Sequence, residues 1–180
     1  VGQTSKARKG VSLGHARKLP SSCDPDWDAH RIQPGLSSGE GLIWAVRDPI
    51  WKLVSGSGKH SGQTHEVLAD KGIQDKRLVT LEQEFASVLR VMERDGNILS
   101  ATLRQAWETG NLRTLTKNSP ATATGAHISL IGHITVVEIR RYLNRTEIAN
   151  GLANRCIFMC VARSKTLPEG GHLEEQDLLQ

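Results

Sequence analysis

Short apolar runs alternating with amphipathic stretches set the frame of this chain. Lys76-Arg77 leads into the run Leu78-Val79-Thr80-Leu81, with Glu82 after it, and a run of this length predicts a buried strand. His127–Ile134 (HISLIGHI) predicts a second buried strand and Cys156–Ala162 (CIFMCVA) a third. Phe85, Val88, Leu89 and Met92 recur at helical spacing and define one helix face. A further helix is expected from Ile98 to Trp107, stopping at Gly110. Thr135 stands as the cap of a helix over Val136–Leu143, and another is expected over Thr146–Asn154. Nearer the amino end, Val11–Leu19 predicts a helix ended by Pro20, and His30–Leu36 a short strand interrupted by Pro34. Ser37 or Ser38, followed by Glu40, caps a helix through Arg47 that Asp48-Pro49 ends. Residues 20–30 read as turn-rich, 55–72 and 111–126 as loops, and the stretch after Pro168 as disordered. Strands that alternate with helices predict an α/β fold: a mostly parallel sheet flanked by helices, with ligands at the carboxyl ends of its strands.

Composition narrows this picture. The 180 residues fit one domain, and a chain 38% hydrophobic and 23% charged is not disordered as a whole. We divide it into a core, 1–168, and an acidic tail, 169–180. Net charge is only +4, but residues 1–18 carry Lys6, Arg8, Lys9, Arg17 and Lys18 with no acid, whereas the tail carries Glu169, Glu174, Glu175 and Asp177. A basic amino end suits a phosphate ligand or nucleic acid. Three cysteines without a framework argue against a secreted disulfide scaffold, and Cys156 and Cys160, inside an apolar run, read as buried thiols. No apolar run approaches the ~20 residues of a membrane span and no signal peptide is seen, so a cytoplasmic protein without a membrane partner is expected.

The stretch Gly2–Ser12 (GQTSKARKGVS) is built as a phosphate-binding loop is built, with glycines near its ends, small hydroxyl residues, and a basic cluster before a helix. Backbone N–H groups in such a loop wrap a polyphosphate, a lysine reaches the outer phosphates, and a hydroxyl holds Mg²⁺. Counted from Gly2 in the strict spacing, Ala7 falls on the second glycine, Arg8 on the lysine and Lys9 on the hydroxyl, so the loop is a variant or a plain basic terminus. A phosphate loop also needs a strand leading into it. With no initiator Met and nothing before Val1, the chain reads as a fragment whose first strand is missing. Leu78–Leu81 followed by Glu82 and Glu84 suits a strand that presents one acid to Mg²⁺ and another to the attacking water. Glu40 is either a catalytic glutamate beside the loop or a helix cap. His133 reads as a γ-phosphate sensor or a strand-end histidine. Arg155 reads as an arginine finger or a helix-end cation. Two further patterns compete: Gly56-Ser57-Gly58-Lys59-His60-Ser61 imitates a phosphate loop, and Thr135–Arg155, with Arg140, Arg141 and Arg145, has the outline of a helix-turn-helix. His60 and His65 lack partners at ligand spacing, and no zinc site is expected.

Taken in order, T-S-K-A-R-K-G-x-S, L-S-S-G-E-G-L-I, V-T-L-E-Q-E-F, L-R-Q-A-W-E-T-G-N-L, I-G-H-I-T and N-G-L-A-N-R resemble the RecA-like ATPase domains of plasmid and phage replication proteins. These are helicase-like domains often fused to primase-polymerase modules, and the resemblance covers roughly residues 1–170. It implies a RecA-like P-loop core related to hexameric replicative helicases, an ATPase that uses ATP and Mg²⁺, single-stranded DNA as partner, and a homo-oligomer such as a hexameric ring. Carried over, Gly2, Thr4, Ser5, Arg8, Lys9, Gly10 and Ser12 bind the phosphates, with Lys9 the loop lysine. Ser12 and Glu82 serve the metal, and Val11 stands where a Thr is expected. Glu40, Glu84, His133 and Arg155 form the catalytic set. The alternative is a non-catalytic DNA-binding or scaffolding module with a degenerate nucleotide pocket.

Overall fold

The apolar run at Leu78 becomes the middle strand of a parallel sheet in the computed structural model, which describes residues 1–2, 9–55, 64–116 and 120–162, with backbone alone at Lys9 and Val11. Strand β4 (Arg77–Glu82) lies between β1 (Ile32–Gln33) and β7 (His127–Gly132). Both pairings are parallel: Ile32 is opposite Val79, and Arg77 to Glu82 run opposite His127 to Gly132. Beyond β7 the sheet continues through single bridges. Gly2 pairs in parallel with Thr135 on one side and with Val161 on the other. The Gly2 N–H donates to the Ile134 carbonyl at 2.9 Å, the Val136 N–H to the Gly2 carbonyl at 3.1 Å, and the Val161 N–H to the Val1 carbonyl at 3.0 Å. Across the sheet the order is therefore β1, β4, β7, Val1–Gly2, Val161. Of the first strand, expected to be missing, only Gly2 is seen in the sheet, through these isolated bridges.

Helix α3 (Gly39–Trp44) packs on α5 (Leu99–Glu108), and Leu42, Ile43, Val46, Leu78, Val88, Leu89 and Leu99 form the buried centre. Contact between the two helices is backbone-close. A Cβ on Gly39 would meet Thr102 Oγ1 at 2.4 Å, so only glycine fits there. Helix α4 (Phe85–Met92) buries Ala86, Val88, Leu89 and Met92, the face its spacing predicts. Helix α6 (Val136–Tyr142) starts with a full capping box, in which Thr135 and Glu138 each satisfy the other's backbone N–H. Helix α7 (Arg145–Ala149) is capped by Asn144, and a 3-10 helix (Ala153–Arg155) follows. Helices α1 (Lys9–Cys23) and α2 (Pro25–Arg31) pack together near the start of the chain.

Several expectations fail for identifiable reasons. Pro20 does not end α1: its carbonyl still accepts the Asp24 N–H at 2.9 Å, so the helix closes three residues further on. The turn-rich residues 20–30 hold a helix start, because Asp24 accepts the Trp27 N–H and Pro25 occupies the first turn of α2. The expected loop at 55–72 holds β3 (Thr64–Asp70), which pairs antiparallel with β2 (Ile50–Ser55) before it, and that at 111–126 holds the antiparallel pair β5 (Leu112–Thr114) and β6 (Ala121–Ala123). The helix over Thr146–Asn154 breaks because Gly151 takes φ +83°, which turns the chain after α7. Cys156–Ala162 forms no full strand; only Val161 bridges, since the segment borders just Val1–Gly2. Ile157 is 92% exposed, and Cys160 is exposed instead of buried; Cys156 is half-buried, and burial pushes its thiol pKa up. The loop imitation at Gly56–Ser61 and the acidic tail lie outside the described residues. Among the described residues no helix is long and apolar enough to cross a membrane.

Candidate nucleotide site

Two carboxylates and a glutamine close the end of β4, and the chain clasps this turn from the next strand. The His133 N–H donates to the Glu82 carbonyl at 2.8 Å, and the Phe85 N–H donates to the His133 carbonyl at 2.9 Å. Gly132 allows the clasp, because a Cβ there would lie 2.8 Å from Phe85 Cγ. Glu82 is buried, and its Oε1 accepts the Leu36 N–H at 2.7 Å, tying the β1–α3 connection to the end of β4. Beneath that connection lies a cavity of about 130 Å³ lined by Gln33, Leu36, Ser38 and Thr80 among others. The Thr80 hydroxyl is buried without a hydrogen-bond partner among the described residues.

The start of α1 reaches this turn: a Cβ built on Gly10 would come 3.9 Å from Gln83 Oε1. Gly2 lies beside Thr135, past the end of β7, so Gly2 and Gly10 both stand toward the carboxyl side of the sheet. Helix α1 is 15 residues long and has no acid in its first turn, which leaves its positive end uncompensated by a local carboxylate.

The structure thus places Glu82, Glu84 and His133 at one turn, with Gly10 near Gln83 and Gly2 beside Thr135. Glu84 is exposed at the N-cap position of α4 and makes no side-chain cap bond, so it is more accessible than Glu82. His133 and Ser12 each have an interaction of their own, and Ser12 is exposed on the first turn of α1. Glu40 is exposed on the first turn of α3, where the capping oxygen comes from Ser38, which accepts the Gly41 N–H at 3.0 Å. Arg155 is engaged elsewhere: its guanidinium pairs with Glu108 of α5 and donates to the Gly151 carbonyl at 2.7 Å. Thr4, Ser5, Arg8 and the Lys9 side chain lie outside the described residues.

Sequence reasoning did not find Gln83, the Leu36 N–H or Arg31. Arg31 is buried, donates to the carbonyls of Arg77 (2.9 Å) and Ala45 (3.0 Å), and has its pKa lowered by burial. A cation in a short expected strand gives no sign that it will be buried. Among the described residues no group of three or more His, Cys, Asp or Glu could hold a metal ion. Compared with known proteins, the chain matches no family model, no curated protein and no solved structure.

Proposed function

We propose that this chain is the ATP-binding and ATP-hydrolysing core of a DNA helicase-like replication protein, built on a RecA-like P-loop fold. The observation that carries this reading is the meeting of the α1 start with the acidic turn after β4, at the carboxyl side of a parallel sheet in which Val1–Gly2 is an inner member. A loop leaving an inner strand and entering a long helix directs backbone N–H groups and the helix's positive end at one point, where a polyphosphate fits. In this reading Gly2, Thr4, Ser5, Arg8, Lys9 and Gly10 hold the phosphates, and Ser12 and a carboxylate of the β4 turn hold Mg²⁺. Bound Mg²⁺ supplies charge neutralisation at the transferring phosphate. Glu84, with its free approach, orients water, and Glu40 is the second choice for that role. His133, whose backbone is tied to both Glu82 and Phe85, carries changes at the phosphate into the β4–α4 turn. Arg155 acts on a neighbouring subunit of a ring only if its pair with Glu108 opens. ATP hydrolysis by the protein with and without Lys9→Ala is the test. Loss of turnover, by at least a hundredfold, is expected; unchanged turnover overturns the assignment. ATP-indifferent DNA binding without turnover in the wild type would favour the scaffolding alternative.

A further inference from the structure

The α4–α6 face carries a separate chemistry. Arg90 and Arg94, at the end of α4 and just after it, and Arg140, Arg141 and Arg145, on α6 and at the start of α7, are all exposed. The contact between α4 and α6 brings Arg90 and Arg141 together at the chain's single tyrosine, with Arg94, Arg140 and Arg145 next to them in sequence. Arg90 Cζ lies 5.5 Å and Arg141 Cζ 5.3 Å from the centroid of the Tyr142 ring. None of the five has a carboxylate partner among the described residues. The acids of the same stretch are largely turned to internal work. Glu138 closes the α6 capping box, and Glu147 is buried against Ser100 and Asn150. Glu93 accepts from Asn144 at 3.2 Å, which pins the end of α4 to the start of α7 and leaves Asp95 as the other exposed acid of the patch.

Guanidinium groups are weakly hydrated, always charged and forked to match phosphate oxygens. Two of them held at one aromatic ring lose less side-chain freedom on meeting an anion. We infer that the α4–α6 face is a binding surface for the phosphodiester backbone of nucleic acid, with Arg90, Arg140, Arg141 and Arg145 as its contacts. The choice of ligand rests on the reading of the chain as a DNA-handling protein; the face itself rests on exposed arginines with no carboxylate partner among the described residues, of which Arg90 donates to Ser87 Oγ at 3.2 Å.

The experiment is fluorescence anisotropy of the whole protein with labelled oligo(dT) and, separately, a duplex of equal length, over a range of salt. Arg140→Gln/Arg141→Gln should flatten the dependence of log K on log salt by about 1.4 for the single strand and about 1.8 for the duplex, at roughly 0.7 and 0.9 per phosphate contact. Tighter binding at matched salt marks which form is the ligand. Arg140→Lys/Arg141→Lys should keep most of the slope, and Arg113→Gln, exposed on β5, should leave it unchanged. An unaltered slope in the glutamine double variant overturns the proposal. An equal loss in Arg113→Gln, or binding to vesicles with anionic headgroups in place of nucleic acid, does so as well. ATP binding measured on the same preparations separates the two readings: intact ATP binding beside an unmoved slope condemns only this face, and arginine-dependent DNA binding without ATP binding condemns only the nucleotide site.

Discussion

Glu82 sits where a strand-end acid would meet a metal, yet its described work is to hold a loop. One oxygen accepts the Leu36 N–H, and the residue is buried. Truncation therefore leaves a buried donor unpaired, whereas the amide keeps a carbonyl oxygen in the same place. Glu82→Ala is expected to cost about 1–3 kcal/mol in urea unfolding, and Glu82→Gln clearly less. Equal costs for the two variants would show that the Leu36 contact does not hold the connection. The acid itself was legible in the sequence, since an apolar run that ends in Glu places it at a strand's carboxyl end. Its partner was not, because a backbone N–H some forty-six positions away leaves no mark on residue type. Gly10 is similar: the basic cluster pointed to the α1 start, but only the fold brings it to Gln83.

At the scale of elements, the opposite end of β4 is held by charge. Lys76 donates to Asp48 and to the carbonyls of Val46 and Arg47, Arg47 pairs with Asp70, and Arg77 pairs with Asp75. These contacts fix the base of the β2–β3 hairpin against the start of β4. The Arg77 guanidinium holds Asp75 down at about 2. Burial works against ionisation of Asp48, but hydrogen bonds from Lys76 and Thr124 outweigh it and lower its pKa; Arg47 lowers that of Asp70. Each carboxyl is more acidic folded than unfolded, where it titrates near about 3.9, so the unfolded chain takes up more protons as pH falls. Their stabilisation is present above the unfolded value and is lost as pH falls through each lowered folded value, about 2 for Asp75. Melting temperature should fall through that window, and Asp48→Asn should lower it at neutral pH while making the acid limb shallower. An acid limb identical in the variant and the wild type would exclude Asp48 from this linkage. Elements whose apolar period burial imposes — β4, α4 and α5 — were readable for that reason, whereas β7, expected as a buried strand, alternates exposed and half-buried residues and α6 buries none, its start being marked by the Thr135 cap. The β2–β3 pair was not readable, because both of its strands are exposed for most of their length and need no apolar alternation; β5 and β6 do alternate, but over three residues each, too short a run to read. The last expected strand failed for the converse reason: its residues are apolar, but the sheet position they reach offers two residues to pair with.

The molecule as a whole joins a buried sheet-and-helix centre to parts with less burial, namely α1 and the β2–β3 hairpin. Amide exchange should separate them: β4, β7 and α4 opening with the full unfolding free energy, the hairpin and α1 with less. The proposed nucleotide site makes this difference useful, because its two halves fall in different classes. Gly2, Glu82 and His133 belong to the sheet, whereas Lys9 and Gly10 belong to α1. A ligand spanning them can bind only when α1 is in place, so it must slow exchange in α1 as well as raise global stability. Mg²⁺·ATP at a hundredfold excess over its Kd should add about 2.7 kcal/mol to the opening of every amide that exchanges through global unfolding. Amides of α1 should gain a similar amount, and those of the exposed hairpin, which opens with the ligand still bound, should gain little. Protection gained in β4 but not in α1 would place the nucleotide away from the Gly2–Gly10 loop. No gain anywhere at millimolar Mg²⁺·ATP would leave the sheet as the scaffold of a degenerate pocket, and the arginine face as the part of the chain that meets a ligand.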